Sequence, residues 1–567
     1  MVSPVPADSR AADGPVLDEA QTVADLVVAR ADDAHTAIVS EHGSCTWSEL
    51  VEAAGRRAAL LTSLRVDGPF NVGVLLDNSP EYIELLCGAA LSGATLVCLN
   101  STRRGDELAA DINHTDCQLL VTDGAHAALL DGLDTSLSND RVLLCDSTAY
   151  AAALDSVAPA ASSPVAPDDL YLLIFTSGSS GAPKAVRMTH GRAVRAADSL
   201  LCGRDDVPYC AMPLFHGNAL NACFFPALGV GATIALRRRF SASAFLDDVR
   251  RHGCTYFSSI GRVLNYVLAT PERHDDADNP LKLVLAPEAS ARDMADFERR
   301  FGCPVLAGYG SSENAVILLP APRSAAGALG VAPQGEDIAV VDPDTGQECP
   351  PAEFDSNGRL LNAEQATGEL VGRNALGRFE GYWNNPDAST ERSRDGWYWS
   401  GDLAYRDRDG VFWFAGRTSD WIRVDGENFP TAPVERILEQ FHGVRTAVVY
   451  GVPDVRNAED QVMAALQLHD PAQFDPGEFR TFLAGRADMG TKWAPGFVRV
   501  AADLPVTGTN KVDKRAMRSA AWCTSDPVWW RPDRRAETYV ELVDADVEGL
   551  LEQLRSNRPG VELQPEP

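Results

Sequence analysis

Between Tyr171 and His190 an apolar run breaks abruptly into small polar residues, and no other stretch constrains the fold as strongly. Residues 171–175 are apolar and rich in β-formers, whereas six of the seven residues from Thr176 to Ala182 are Thr, Ser or Gly, ending in Pro183-Lys184. The pattern predicts a strand followed by a loop. Gly178 and Gly181 allow backbone angles closed to other residues, so successive N–H groups can turn inward on an anion. Thr176, Ser177, Ser179 and Ser180 add hydroxyl donors, and Lys184 adds a full positive charge. The loop is built for phosphate. It is not a Walker A loop, because Ala182-Pro183 separates Gly181 from Lys184 and Ala185 follows. Gly-x-Gly-x-x-Gly is also absent here. A flexible Gly/Ser surface loop would not ordinarily follow an apolar strand and close on Pro-Lys.

A chain of 567 residues exceeds a single ordinary core, so at least two domains are expected. The net charge of -30 argues against nucleic acid as a partner, since phosphate backbones need basic faces. Twelve cysteines without a Cys-x-x-Cys pair suggest neither a disulfide framework nor zinc, and point to reduced thiols in a cytosolic setting. Residues 1–21 lack a basic segment leading into an apolar one and are expected to form a disordered leader. The apolar tract 85–99 is broken by Gly88 and Gly93 and is too short to span a bilayer, so no membrane partner is expected. Helical patterns at 47–64 and 81–91 alternate with apolar runs at 72–76, 95–98, 119–121 and 142–145, which predicts α/β layers.

The 176–184 loop closely resembles the phosphate-binding signature of the AMP-forming adenylating enzymes, the superfamily of acyl-CoA synthetases, peptide-synthetase adenylation domains and luciferases. Further motifs follow in order. Pro213-Leu-Phe-His216 resembles a segment at the acyl site, which implies a catalytic role for His216. The turn Glu288-Ala289 and Tyr309-Gly310-Ser311-Ser312-Glu313 resemble the ATP-binding segments, with Tyr309 beside adenine, a hydroxyl near the α-phosphate and Glu313 on Mg²⁺. A carboxylate suits that hard cation. The resemblance gives Asp402 and Arg417 the ribose hydroxyls, and Asp409-Gly410 reads as a hairpin turn between them. It places a hinge at Ser419, where the family usually has Asp or Lys, and an acceptor tunnel at Gly426. Lys511 matches the lysine that contacts carboxylate and phosphate oxygens during adenylation, with Asn510 replacing the usual preceding glycine. Each of these residues taken alone would pass for a solvated loop side chain or a core residue.

The resemblance implies a large N-terminal domain of layered α/β subdomains (22–418), a small mobile α+β domain (419–525) and an extension (526–567). Within the superfamily the actinobacterial fatty-acyl and steroid-acyl-CoA ligases look most similar. The implied reaction adenylates a carboxylic acid, a small-molecule partner whose identity the sequence leaves open, with ATP and Mg²⁺ and passes the acyl group to CoA. Two alternatives stay open: an ATP-dependent diazotase that activates nitrite for attack by an aryl amine, and a nucleotide-binding protein without turnover. Cys223, Phe224 and Phe225 suggest either an apolar lining or plain core. Nothing in the sequence sets an oligomeric state.

Overall fold

The computed structural model describes residues 19–176, 184–199, 201–321, 328–355, 360–417, 421–424, 427–456, 460–486, 488–489, 492–507, 511–532, 536, 538–558, 561 and 563–564. By contact density the chain divides into two compact units, residues 1–333 with 374–398, and residues 334–373 with 399–567.

In the first unit the predicted alternation is realised. Helix Trp47–Ser63 starts at a capping box, in which Thr46 and Glu49 satisfy each other's backbone N–H groups. Helix Pro80–Ser92 carries Pro at its first position and ends at Gly93, whose φ of 67° stops it. These helices accompany a six-stranded sheet whose spatial order is Val142–Leu144, Cys117–Thr122, Asn71–Leu75, Thr95–Cys98, Leu170–Thr176 and Lys184–Thr189. All neighbours are parallel except the last pair, a hairpin in which Leu170–Thr176 runs antiparallel to Lys184–Thr189. The phosphate motif therefore leaves the C-terminal end of a parallel strand, where ligands of open α/β sheets gather.

A seven-stranded sheet completes this unit, with the order Val305–Leu306, Leu283–Leu285, Tyr256–Ser258, Pro208–Cys210, Ile234–Leu236, Thr36–Ser40 and Gly43–Thr46. A continuous apolar core joins the two sheets, running from Val23 through Trp47, Tyr82 and Tyr171 to Phe224 and Phe301. Phe224 and Phe225 are fully buried in it and Cys223 is 2 % exposed, so all three are core.

The second unit holds strands Ile338–Val341, Gly368–Gly372, Trp397–Arg406 and Val411–Arg417, the last two forming the expected hairpin with Gly410 at φ 81°. It also holds a five-stranded sheet in the order Val444–Pro453, Asp460–Leu468, Phe497–Ala501, Val528–Trp530 and Val540–Glu541. Residues 526–567, which carry no chemistry in the sequence, are thus structural. Two of their strands extend this sheet, Tyr539 enters its core, and helix Asp544–Asn557 buries Leu550 and Leu554 beside Trp522.

Candidate active site

The Leu170–Thr176 and Lys184–Thr189 hairpin sets the mouth of the phosphate loop. Thr176 and Lys184 face each other in register, and Thr176 Oγ1 donates to the Lys184 carbonyl at 3.5 Å. Ser177, Gly178, Ser179, Ser180 and Gly181 lie outside the described residues. Lys184 is 7 % exposed, unlike a solvated loop lysine. Its Nζ stands 5.8 Å from the Tyr382 ring centroid and 4.0 Å from Glu391.

Tyr382 connects this lysine to Glu313. Its hydroxyl donates to Glu313 Oε1 at 2.6 Å, and both side chains are buried. Burial and the Glu313 charge push the Tyr382 phenol well above its usual range, so it remains a donor. The backbone at Tyr382 is held by the Lys184–Thr189 strand. Tyr382 bridges Val186, Trp383 N–H donates to the Ala185 carbonyl at 2.8 Å, and Arg187 N–H donates to the Gly381 carbonyl at 3.2 Å. The Thr189 N–H and hydroxyl both donate to Glu380, at 2.8 and 2.7 Å. From the following helix, His190–Ala197, the Arg192 guanidinium donates to the Ser312 carbonyl.

Glu313 belongs to a closed turn. Tyr309 and Leu318 exchange backbone hydrogen bonds of 3.2 and 2.9 Å, and Asn314 takes φ 51°, a left-handed angle that Asn tolerates. His216 approaches the same turn through its neighbour: a Cβ on Gly217 would lie 3.2 Å from Ser312 Oγ and 3.5 Å from Asn221 Nδ2. His216 caps the short helix Gly217–Ala219, and the Asn218 N–H donates to His216 Nδ1 at 3.3 Å. A neutral ring then carries its proton on Nε2. Asn218 is itself fixed, accepting from Ser258 Oγ at 3.0 Å and donating to the Ser259 carbonyl at 3.3 Å. A π-helical turn, Leu220–Phe224, follows directly, a device frequent beside functional sites.

The Glu288-Ala289 segment also lies in the first unit. Glu288 adopts φ 65°, the Pro287 carbonyl accepts from Gly261 N–H at 2.8 Å, and Ala289 is buried. Thr176, Lys184, His216, Glu288, Ala289, Tyr309, Gly310, Ser311, Ser312 and Glu313 thus all belong to the first unit.

In the second unit Asp402 stands directly opposite Arg417 in the hairpin ladder. Asp402 N–H donates to Ser400 Oγ at 3.1 Å, and Gly401 N–H donates to the buried Glu369 carboxylate at 2.8 Å. At Lys511, Val506 bridges Val512 and Thr507 N–H donates to the Lys511 carbonyl at 2.7 Å. Ser419 and Gly426, the expected hinge and tunnel residues, lie outside the described residues.

Residues 27–383 match the model of the AMP-binding enzyme family. The chain belongs to that family. It is 49 % identical over 542 residues to a steroid-22-oyl-CoA synthetase of Rhodococcus jostii (strain RHA1), covering 94 % of this chain and 97 % of the relative. It is 44 % identical over 515 residues to a medium/long-chain-fatty-acid–CoA ligase of Mycobacterium marinum, covering 90 % and 98 %. In fold it matches a benzoate CoA ligase from Burkholderia xenovorans LB400 with a TM-score of 0.75, at 24 % identity and over 88 % and 99 % of the two chains. It is an AMP-forming ligase of the acyl-CoA synthetase type. These relatives lend no support to the diazotase or the non-catalytic reading.

Sequence reasoning missed Tyr382, Glu380 and Arg192. Gly381-Tyr382 ahead of Asn385-Pro386 marks a turn into a helix, but the partner of Tyr382 is Glu313, 69 positions away, and no local pattern reveals it.

Proposed function

We propose that this enzyme activates a large apolar carboxylic acid of the steroid-22-oyl class and delivers it to CoA. The observation that carries the reading is the 49 % identity over 94 % of the chain to a steroid-22-oyl-CoA synthetase. In the first step a substrate carboxylate oxygen attacks the α-phosphorus of ATP, forming acyl-AMP as the bond to pyrophosphate breaks. In the second the CoA sulfur attacks the acyl carbon, AMP leaves, and the thiol proton is released. Two anions must meet in the first step, so positioning and charge compensation dominate its barrier.

Lys184 and the 177–181 loop would hold the phosphates, Lys511 would bridge the carboxylate and α-phosphate, and Asp402 with Arg417 would hold the ribose. Tyr309, Gly310, Ser311, Glu288 and Ala289 would enclose the adenosine, with Ser312 near the α-phosphate and His216 beside the acyl carboxylate. Glu313 fits a Mg²⁺ ligand. Tyr382 occupies Oε1, and among the described residues Oε2 has no hydrogen-bond partner, as suits a hard cation sharing one carboxylate with phosphate oxygens. Mg²⁺ held there would offset the phosphate charge. Between the steps, rotation of residues 419–525, together with the strands and helix of 526–567 that complete their sheet and core, about Ser419 would exchange Lys511 for the Gly426 segment.

The test is AMP and pyrophosphate release from Mg-ATP with steroid-22-oic, fatty and aryl acids, each with and without CoA. Steroid-acid-dependent release accelerated by CoA is expected. Preference for linear fatty acids would move the substrate class, and release that needs nitrite but ignores CoA would overturn the reading.

A further inference from the structure

Tyr382 meets both Lys184, at the end of the phosphate motif, and Glu313. Its ring lies under Lys184 Nζ at 5.8 Å, and its hydroxyl reaches Glu313 Oε1 at 2.6 Å. Its backbone is tied to the Lys184–Thr189 strand on both sides, through Gly381 and Trp383. The tyrosine therefore cannot shift without moving the strand that closes the phosphate loop.

Resting on the reading of Glu313 as the Mg²⁺ ligand, we infer that Tyr382 is a positioning residue that holds the Glu313 carboxylate in one rotamer and reserves Oε2 for the metal. A glutamate has three side-chain torsions, and a cation that tolerates little distortion gains from a ligand already fixed. The buried hydroxyl supplies that constraint. Outer partners of metal-ligating carboxylates act in this way, and their loss commonly weakens metal binding by ~10–100-fold. The ring contact to Lys184 is a separate function of the same side chain, so the two can be parted by substitution.

Tyr382→Phe removes the hydroxyl, with its bonds to Glu313 and to the Arg392 guanidinium, and keeps the ring beneath Lys184 and every backbone contact. The experiment is electron paramagnetic resonance titration of Mn²⁺ into the full-length protein with α,β-methylene-ATP, for wild type, Tyr382→Phe and Glu313→Gln, with melting curves of each. Tyr382→Phe should bind Mn²⁺ about tenfold more weakly while melting only a few degrees below the wild type, as expected for one lost charge-assisted hydrogen bond, and its Mg²⁺ requirement for pyrophosphate release should rise by a like factor with kcat at saturating Mg²⁺ nearly retained. Mn²⁺ affinity within about twofold of wild type, together with loss in Glu313→Gln, would overturn the positioning role. Unchanged affinity in Glu313→Gln would instead remove the metal assignment, and the inference with it.

Discussion

Asp402 faces Arg417 only because the ladder between their strands is interrupted. Pairing runs Arg406 with Phe412, Tyr405 with Trp413 and Ala404 with Phe414, then shifts so that Leu403 meets Gly416 and Asp402 meets Arg417. Ala415 is the extra residue. Without it Asp402 would oppose Gly416, which takes φ 129° at the shift. A bulge of this kind re-aims side chains beside functional sites.

If Asp402 holds the ribose, Asp402→Ala should lose charge-assisted hydrogen bonds of about 1.5–3 kcal/mol. The KM for ATP should rise ~10–100-fold with little change in the KM for the acid. Pyrophosphate release at varied ATP measures this, and an unchanged ATP KM would remove Asp402 from the nucleotide site.

Gly261 packs against the Glu288-Ala289 turn that we assign to ATP. A Cβ there would lie 2.3 Å from the Glu288 carbonyl oxygen and 2.7 Å from Ala289 Cα, both backbone atoms. Overpacking of this sort costs about 1–3 kcal/mol. Gly261→Ala should therefore displace the Glu288-Ala289 turn, lower the melting temperature and raise the KM for ATP about tenfold. Retention of wild-type ATP affinity in a destabilised variant would show that the turn lies apart from the nucleotide.

What could be read in advance was what is local. Helices Trp47–Ser63 and Pro80–Ser92 and the strands around the phosphate motif follow from short-range periodicity and caps, and they form within a few residues of the expected ends. The Ala415 bulge and the Tyr382–Glu313 bond depend on which distant strand pairs with which, so neither leaves a mark on its own segment. Phe224 and Phe225 show the converse limit: an apolar run suits a pocket wall and a core equally, and only packing against Tyr171 decides for the core. Val528–Trp530 and Val540–Glu541 are too short to show any period, which is why residues 526–567 looked like a tail.

That segment should be indispensable. Leu554 is 1 % exposed and packs with Trp522 and Val455, and Asn557 donates to the Val455 carbonyl at 2.8 Å. Leu554→Ala should destabilise the second unit by about 2–5 kcal/mol, read as an earlier transition in chemical unfolding. Wild-type unfolding after that substitution would mean that the helix is only loosely docked.

His190 gives the first unit an acid limit. It is fully buried, neither ring nitrogen has a hydrogen-bond partner among the described residues, and its ring lies 4.9 Å from Tyr171, tilted by 36°. Burial lowers its pKa from 6.5 to about 4, against the opposing pull of Asp169 and Asp25. Between those values the unfolded chain binds the proton and the folded chain does not, so stability is complete above pH 6.5 and is lost as pH falls towards 4. From this group alone, unfolding free energy should be about 2 kcal/mol lower at pH 5 than at pH 7. His190→Gln should flatten that slope, and an undiminished slope would assign it to other groups.

Substituting Lys511 tests whether the two half-reactions depend on different residues. The Lys511 N–H donates to Thr507 Oγ1 at 3.3 Å while its carbonyl accepts from Thr507 N–H. If it serves only adenylation, its charge is needed while carboxylate and α-phosphate approach and is not needed once the mixed anhydride exists. Lys511→Ala should then slow pyrophosphate release by ~10²–10³-fold, as for loss of one preorganised electrostatic contact. Thioester formation from supplied acyl-AMP and CoA should stay within about threefold of wild type, because the nucleophile in that step is a sulfur that attacks carbon and needs no contact to the α-phosphate. The two rates are measured separately, one as pyrophosphate release without CoA and the other as acyl-CoA appearance from synthetic acyl-adenylate. Equal loss in both would mean that Lys511 supports the small domain as a whole, and the motif would then have to be read as structural.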